Sequence, residues 1–226
     1  MIRFIHSLAI LVVLAALCGG CNDTTKPKTT TPSLTANDTP AHTVSRLIET
    51  YERKDETNYA NLFTGDYTFE FSNSTDPTLV NQYSNGWFKE DEKLSSLHMF
   101  YGYTPPGGVT LPAATKIDIN FSDMTPIDDP ASADPATNKI LTTRVDGSVT
   151  VPQSGAEPLT YVMANNLDAF YFVRGDVAVG LDASQPADSD HWYIYRWRDL
   201  SEFPSPGPSR SNIEPPTWGK LKAVYR

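Results

Sequence analysis

The ten residues His191-Trp192-Tyr193-Ile194-Tyr195-Arg196-Trp197-Arg198-Asp199-Leu200 constrain the fold more than any other run in the chain. Aromatic and β-branched side chains fit a pleated, half-buried surface, so the run reads as a strand. Side chains alternate across a strand, which puts Tyr193, Tyr195 and Trp197 on one face and Trp192, Ile194, Arg196 and Arg198 on the other. Both faces carry large rings. Such a strand expects cover on each side, or a ligand or partner on one of them.

A chain of 226 residues with 39% apolar and 11% aromatic residues has material for one real core. Its net charge of -9, with no basic run, argues against nucleic-acid binding, which requires clustered Lys and Arg. The start reads as an export signal: Arg3, an apolar run from Leu8 to Leu17, then small residues. That run is well short of the roughly 20 residues that a spanning helix needs. Its end, Leu17-Cys18-Gly19-Gly20-Cys21, resembles the lipobox of bacterial lipoproteins. The resemblance implies a signal peptide over residues 1–20 and lipidation of Cys21, since cleavage before Cys18 would put the bulky Leu17 at the cut. Both cysteines lie in this segment, so the mature chain would form no internal disulfide. Residues 21–41 are Thr- and Pro-rich with Leu34 as the only large apolar side chain, a composition that reads as a disordered tether. The expected location is the bacterial cell envelope, with the membrane reached through the lipid and a single domain over residues 42–226.

Within that domain, Thr39-Pro40 offers a helix start, and Val44, Leu47, Ile48 and Tyr51 repeat at helical spacing. Asp55 or Thr57 can cap a second short helix carrying Tyr59, Leu62 and Phe63 and ending at Gly65. Tyr67, Phe69 and Phe71 alternate as the core face of a strand, and Ser72 to Asn85 reads as a loop. From Lys89 to Tyr101 a third helix presents Leu94, Leu97, His98 and Tyr101, stopped by Gly102 and the Pro105-to-Gly108 run. Strands follow around Ile117 to Phe121, Ile140 to Val151, Leu159 to Met163 and Ala169 to Val173. After a Pro-rich stretch, residues 217–225 close the domain as an apolar clip.

Helices followed by a run of strands is the order of an α+β domain. The two N-terminal helices, the segment from Tyr59 to Phe69, the third helix and the long strands ending in Trp192 to Trp197 resemble the nuclear transport factor 2-like superfamily over most of residues 42–200. Within it the chain looks most like exported lipoproteins that end in a Trp-Gly-x-(Leu/Ile)-Lys-Ala clip, as residues 218–223 do. The resemblance implies a cone: a curved antiparallel sheet packed on about three helices around an apolar cavity, often dimeric through the outer sheet face.

Chemistry is sparse in the sequence. No metal-ligand spacing, Gly-x-Ser-x-Gly elbow or phosphate-binding glycine loop occurs, and no cofactor is implied. Arg174-Gly175-Asp176 fits a turn after a strand better than a recognition tripeptide. The candidate cavity residues are His98, Tyr101, Trp192 and Arg196. A His on an apolar helical face is more often a hydrogen-bonded core residue, yet lining a cavity it can serve as acid or base. An inward Arg196 requires a carboxylate on a neighbouring strand or an anionic ligand. Tyr193, Tyr195 and Trp197 are the candidate homodimer interface, because aromatic rings with polar tips are enriched in interfaces. The expectation is a lipid-anchored, non-catalytic binder of a small apolar ligand or a partner. The alternatives are an isomerase- or dehydratase-like enzyme using the cavity, as the resemblance implies for some relatives, and a structural assembly module.

Overall fold

The computed structural model describes residues 33–72, 77–202 and 217–226. The signal segment, Cys21 and most of the expected tether lie outside the described residues. Leu34 to Arg226 form one compact unit, so folded structure begins before residue 42. The reason is local. The Thr35 amide donates to Glu49 at 2.8 Å, and Asn37, buried, exchanges backbone and side-chain hydrogen bonds with Trp192.

Helix α1 (Pro40–Arg53) starts where the sequence places it: the Thr39 hydroxyl accepts from the His42 amide, and Pro40 sits at the first helical position. Its Val44, Leu47 and Tyr51 are buried. Helix α2 (Glu56–Ala60) is capped by Asp55, whose carboxylate accepts from the Asn58 amide. Leu62 and Phe63 do not continue it: Leu62 lies in the turn after the helix, and Phe63 opens strand β1 (Phe63–Glu70). Gly65 therefore lies within a strand instead of ending a helix. Residues 77–82, expected as loop, form the short helix α3 (Pro77–Gln82), and strand β2 (Trp87–Phe88) leads into helix α4 (Lys89–Tyr101).

Strands β3 (Lys116–Ser122), β4 (Ile127–Asp128), β5 (Asn138–Gln153), β6 (Ala156–Arg174) and β7 (Trp192–Asp199) follow, and helix α5 (Trp218–Val224) closes the chain. The two strands expected around Met163 and Phe170 are one, β6, and its hairpin partner is β5. Among the described residues the strands form a single curved, unclosed sheet in the order β2-β1-β7-β6-β5-β3, with β4 beside β5. The class is α+β. The sheet is mixed, not wholly antiparallel, because β1 runs parallel to β7. The two are separated by most of the domain, so no short hairpin dictates their direction.

β7 is thus a central strand flanked by β1 and β6, which accounts for its rings on both faces. Its alternation does not run through. Tyr171 pairs with Arg196 and Phe172 with Ile194, leaving Tyr195 as the extra residue of a bulge. Before the bulge Trp192 and Ile194 face the helices; after it Trp197 and Asp199 do. Every side chain beyond Tyr195 is consequently on the face opposite to the one simple alternation assigns.

Candidate functional site

The concave side of the sheet holds a buried polar centre that two helices assemble. α4 buries Glu92, Ser95, Ser96 and Met99, a face turned away from the one expected; Leu94 and Leu97 are only partly covered. α5 buries Trp218, Leu221 and Lys222. The Lys222 ammonium lies 2.8 Å from Glu92 Oε1 and 3.0 Å from Oε2, and both side chains are 1% exposed. It also stands 3.4 Å from the centre of the Trp197 ring and 4.2 Å from that of Phe69. The same carboxylate accepts from Trp87 Nε1 at 2.9 Å, from the Tyr67 hydroxyl at 3.4 Å and from the Tyr59 hydroxyl. Tyr51 extends the chain with a 2.6 Å contact to Tyr59. Burial first, and the Glu92 charge second, hold all three tyrosines well above their ordinary pKa, so they act as neutral donors. Burial pulls the Lys222 pKa down, and Glu92 opposes that shift.

A second carboxylate pair adjoins this centre. Asp168 and Asp199 are directly opposite each other on β6 and β7, both buried. Trp197 Nε1 donates to Asp168 at 2.8 Å, and the Ser201 amide donates to Asp199 at 2.9 Å. Burial, then the Asp199 charge, raises the Asp168 pKa well above the carboxylate range. These ionisable groups are closed to solvent, so no substrate reaches them as they stand.

Further along the same concave face the sheet outruns its helices. Val151, Leu159 and Tyr161, at the end of the β5–β6 hairpin, meet Val109 and Pro112 around an open groove of about 710 Å³. Its walls carry no formal charge. Tyr225 separates groove from polar centre: its hydroxyl donates to the Pro112 carbonyl at 3.3 Å, and its own carbonyl accepts from His98 Nδ1 at 2.7 Å.

The expected cavity residues do not converge. His98 is buried, stacked on Tyr103 at 3.9 Å between ring centres, and ties down the end of α5. A carbonyl only accepts, so Nδ1 carries the proton, and His98 reads as a structural residue. Tyr101 is exposed, its hydroxyl on the Lys54 carbonyl, because the packed face of α4 is rotated away from it. Trp192 packs at the edge of the core beside α1. Arg196 points outward as a result of the bulge: it pairs with Glu70, a carboxylate it shares with Arg198, and lies 5.1 Å over the Tyr171 ring. Of the expected interface residues, Trp197 is fully buried on the inner face. Tyr193 is covered by the 175–190 loop, where its hydroxyl donates to the Pro186 carbonyl. Only Tyr195 is part-exposed, and it donates to Asp129. Arg174 and Asp176 form a two-bond pair at 2.7 and 2.9 Å, which ties the Arg-Gly-Asp tripeptide to itself.

The centre was findable from one signal. Lys222 is in phase with Trp218, Leu221 and Tyr225, and Glu92 with Ser95, Ser96 and Met99. Opposite charges on the packed faces of two helices mark a buried pair. Among the described residues no group of three His, Cys, Asp or Glu is placed to hold a metal, and no helix is long and apolar enough to cross a membrane.

Fold and site together define an α+β domain, a curved mixed sheet over helices, with a sealed polar centre and an open apolar end. No family model and no curated protein matches the chain. Among solved structures it is similar to a ketosteroid isomerase-like protein from Erwinia carotovora (10% identity, 70% of this chain and 90% of that one, TM-score 0.40). It is similar also to a nuclear transport factor 2-like superfamily protein from Salmonella enterica (7% identity, 76% and 93%, TM-score 0.42). A third is a hexachlorocyclohexane dehydrochlorinase from Novosphingobium barchaimii (7% identity, 76% and 90%, TM-score 0.40).

Proposed function

We propose that the chain is a lipid-anchored cell-envelope protein whose domain is a non-catalytic binding module, with the hairpin-end groove as its binding surface. The observation that carries this reading is the division of the concave face. Ionisable groups are sealed against one another around Glu92 and Lys222, while the open groove is mainly apolar, with Thr110, Gln153 and Ser154 among its lining, and uncharged. An acid–base catalyst needs a titratable group within reach of its substrate. A binder of a neutral apolar ligand needs a concave apolar wall with few charges. The anchor rests on the Leu17-to-Cys21 segment.

A homodimer through the outer sheet face belongs to this reading, with different residues from those expected. Ile127, Ile140, Tyr171, Arg196, Thr68 and Phe88 are paired in sequence across the strands, forming one outward row. Its ends, Ile127 and Phe88, are exposed.

Nile red titration of the soluble domain tests the groove. Saturable binding, weakened at least tenfold by Leu159→Glu and unchanged by Lys222→Met, is expected; binding indifferent to Leu159→Glu would overturn the assignment. Membrane fractionation tests the anchor: Cys21→Ala should leave the protein unanchored or unprocessed, and an unchanged membrane fraction counts against it.

A further inference from the structure

A lysine at the centre of a core is an expensive choice. Replacing a buried ion pair with apolar side chains is often neutral or stabilising, so burial of the pair does not explain the surroundings of Lys222. Those surroundings match an ammonium group. A carboxylate faces it at 2.8 and 3.0 Å, and two aromatic rings present their faces at 3.4 and 4.2 Å. Ring faces carry negative potential and attract cations, most strongly when water is excluded.

The origin of each part decides the argument. Glu92 comes from α4, Tyr59 from α2, Tyr67 and Phe69 from β1, Trp87 from β2 and Trp197 from β7. The carboxylate is oriented by Trp87, Tyr59 and Tyr67, none of which belongs to α5. The last helix contributes only the cation. Remove that cation and three neutral donors still aim the carboxylate into the gap, where its charge lacks a counterpart.

We infer that the sheet and α4 form a preorganised binding site for a primary alkylammonium group, occupied in cis by Lys222. The ligand class is an unbranched amine carrying one positive charge at its end. The site stands apart from the apolar groove, and the inference does not depend on the function proposed for that groove. In the intact chain the tethered lysine competes at high effective concentration, so a free amine does not displace it readily.

Lys222→Ala removes the three methylenes and the ammonium beyond Cβ, the equivalent of n-propylammonium. Thermal unfolding of this variant at pH 8 is followed with n-propylammonium chloride and, as the neutral match in shape, 1-propanol. The amine is expected to raise the melting temperature by about 3–5 °C at ten times its dissociation constant. Propanol should not. Lys222→Met, which keeps the gap filled without charge, and the intact protein should show no amine-specific rise. Should Lys222→Ala be unfolded alone, native near-ultraviolet dichroism must return with the amine and not with the alcohol. Equal responses to amine and alcohol, an equal amine effect on Lys222→Met, or no response in either folding state would overturn the inference.

Discussion

Glu92 and Lys222 are 130 residues apart in the chain and in direct contact in the fold, with 2.8 Å between carboxylate and ammonium and almost no exposure of either. This pair joins α4 to α5, and it is not alone: the Ser95 hydroxyl donates to the Lys222 carbonyl at 2.8 Å, and His98 holds the Tyr225 carbonyl. The terminal helix is therefore fixed to α4 at its middle and at its end. Its Trp218 meets the Tyr51 ring edge-on at 5.0 Å, which ties it to α1 as well.

Breaking this pair from either side should have unequal consequences. Glu92→Gln leaves an ammonium buried beside two rings without its carboxylate, at a cost of about 3–5 kcal/mol. Lys222→Met replaces the cation with an apolar chain of similar length but strands the Glu92 charge among neutral donors. Adding Glu92→Gln to Lys222→Met removes both charges and should recover most of the loss. Urea unfolding of the four proteins gives the coupling; if the double variant is as unstable as the sum of the singles, the pair is not a coupled unit.

Asp168 makes stability fall toward neutral pH. Its native pKa is raised by burial and by Asp199, so the folded protein holds a proton that the unfolded chain releases near the ordinary value of about 3.9. The contribution is fully present below that value and is lost as pH climbs toward the native pKa. Asp168→Asn keeps an oxygen for Trp197 Nε1 and cannot ionise. Relative to the unaltered protein it should therefore gain melting temperature progressively as pH is raised above about 4. The lowered pKa of Lys222 works in the opposite direction but is common to both proteins. A melting-temperature difference that stays flat over that range would show Asp168 to be ionised throughout.

What the sequence made legible followed local rules. Thr39-Pro40 announced α1, Ile117, Ile119 and Phe121 announced β3, and the rings of residues 192–197 announced a doubly covered strand. These are statements about a residue and its near neighbours. The bulge at Tyr195 is not local: it exists because β6 and β7 pair in two registers on either side of it, and it decided the facing of Arg196 and Trp197. The spacing of Leu94, Leu97 and Tyr101 points to the wrong face of α4, because these three lie where packing is thin. Its buried face sets Met99 and Phe100 beside the polar Glu92 and Ser95, which are satisfied by a helix that follows by more than a hundred residues.

Gly65 is required by a backbone contact instead of by its own torsion. A Cβ there would stand 2.4 Å from the Gly180 carbonyl oxygen and 2.9 Å from its Cα, in a place where the Gly65 amide donates to the Val179 carbonyl. Backbone cannot swing aside as a long side chain can. Gly65→Ala should cost about 1–3 kcal/mol by forcing the 175–190 loop off β1. That loop is also held by Lys89 on Asp182 and by Gln185 on the Asn61 and Phe63 carbonyls, so hydrogen exchange should show it loosened, not lost. Gly155→Ala at the β5–β6 turn, where no atom lies within 4 Å but φ is +72°, is the comparison: conformational cost alone, about 1 kcal/mol, with the loop unaffected.

The outward row predicts how a dimer would be lost. Arg196 in the row and Arg198 beside it share one carboxylate, Glu70, so this part of the outer face carries a surplus positive charge in a chain of net charge -9. Two copies meeting face to face would bring these guanidinium groups together unless the row is offset, and an offset places the apolar ends, Ile127 and Phe88, against each other. Phe88→Glu and Ile127→Glu should each convert a sedimenting dimer to monomer while leaving the melting temperature of the dilute protein within about 2 °C, since both residues are exposed. Trp197→Ala, by contrast, should unfold the domain and not merely split it, because that ring lies inside, with Phe170 at 4.4 Å and the Lys222 ammonium on its face. A soluble domain that sediments as a monomer at micromolar concentration would remove the dimer from the account and leave the row as ordinary surface.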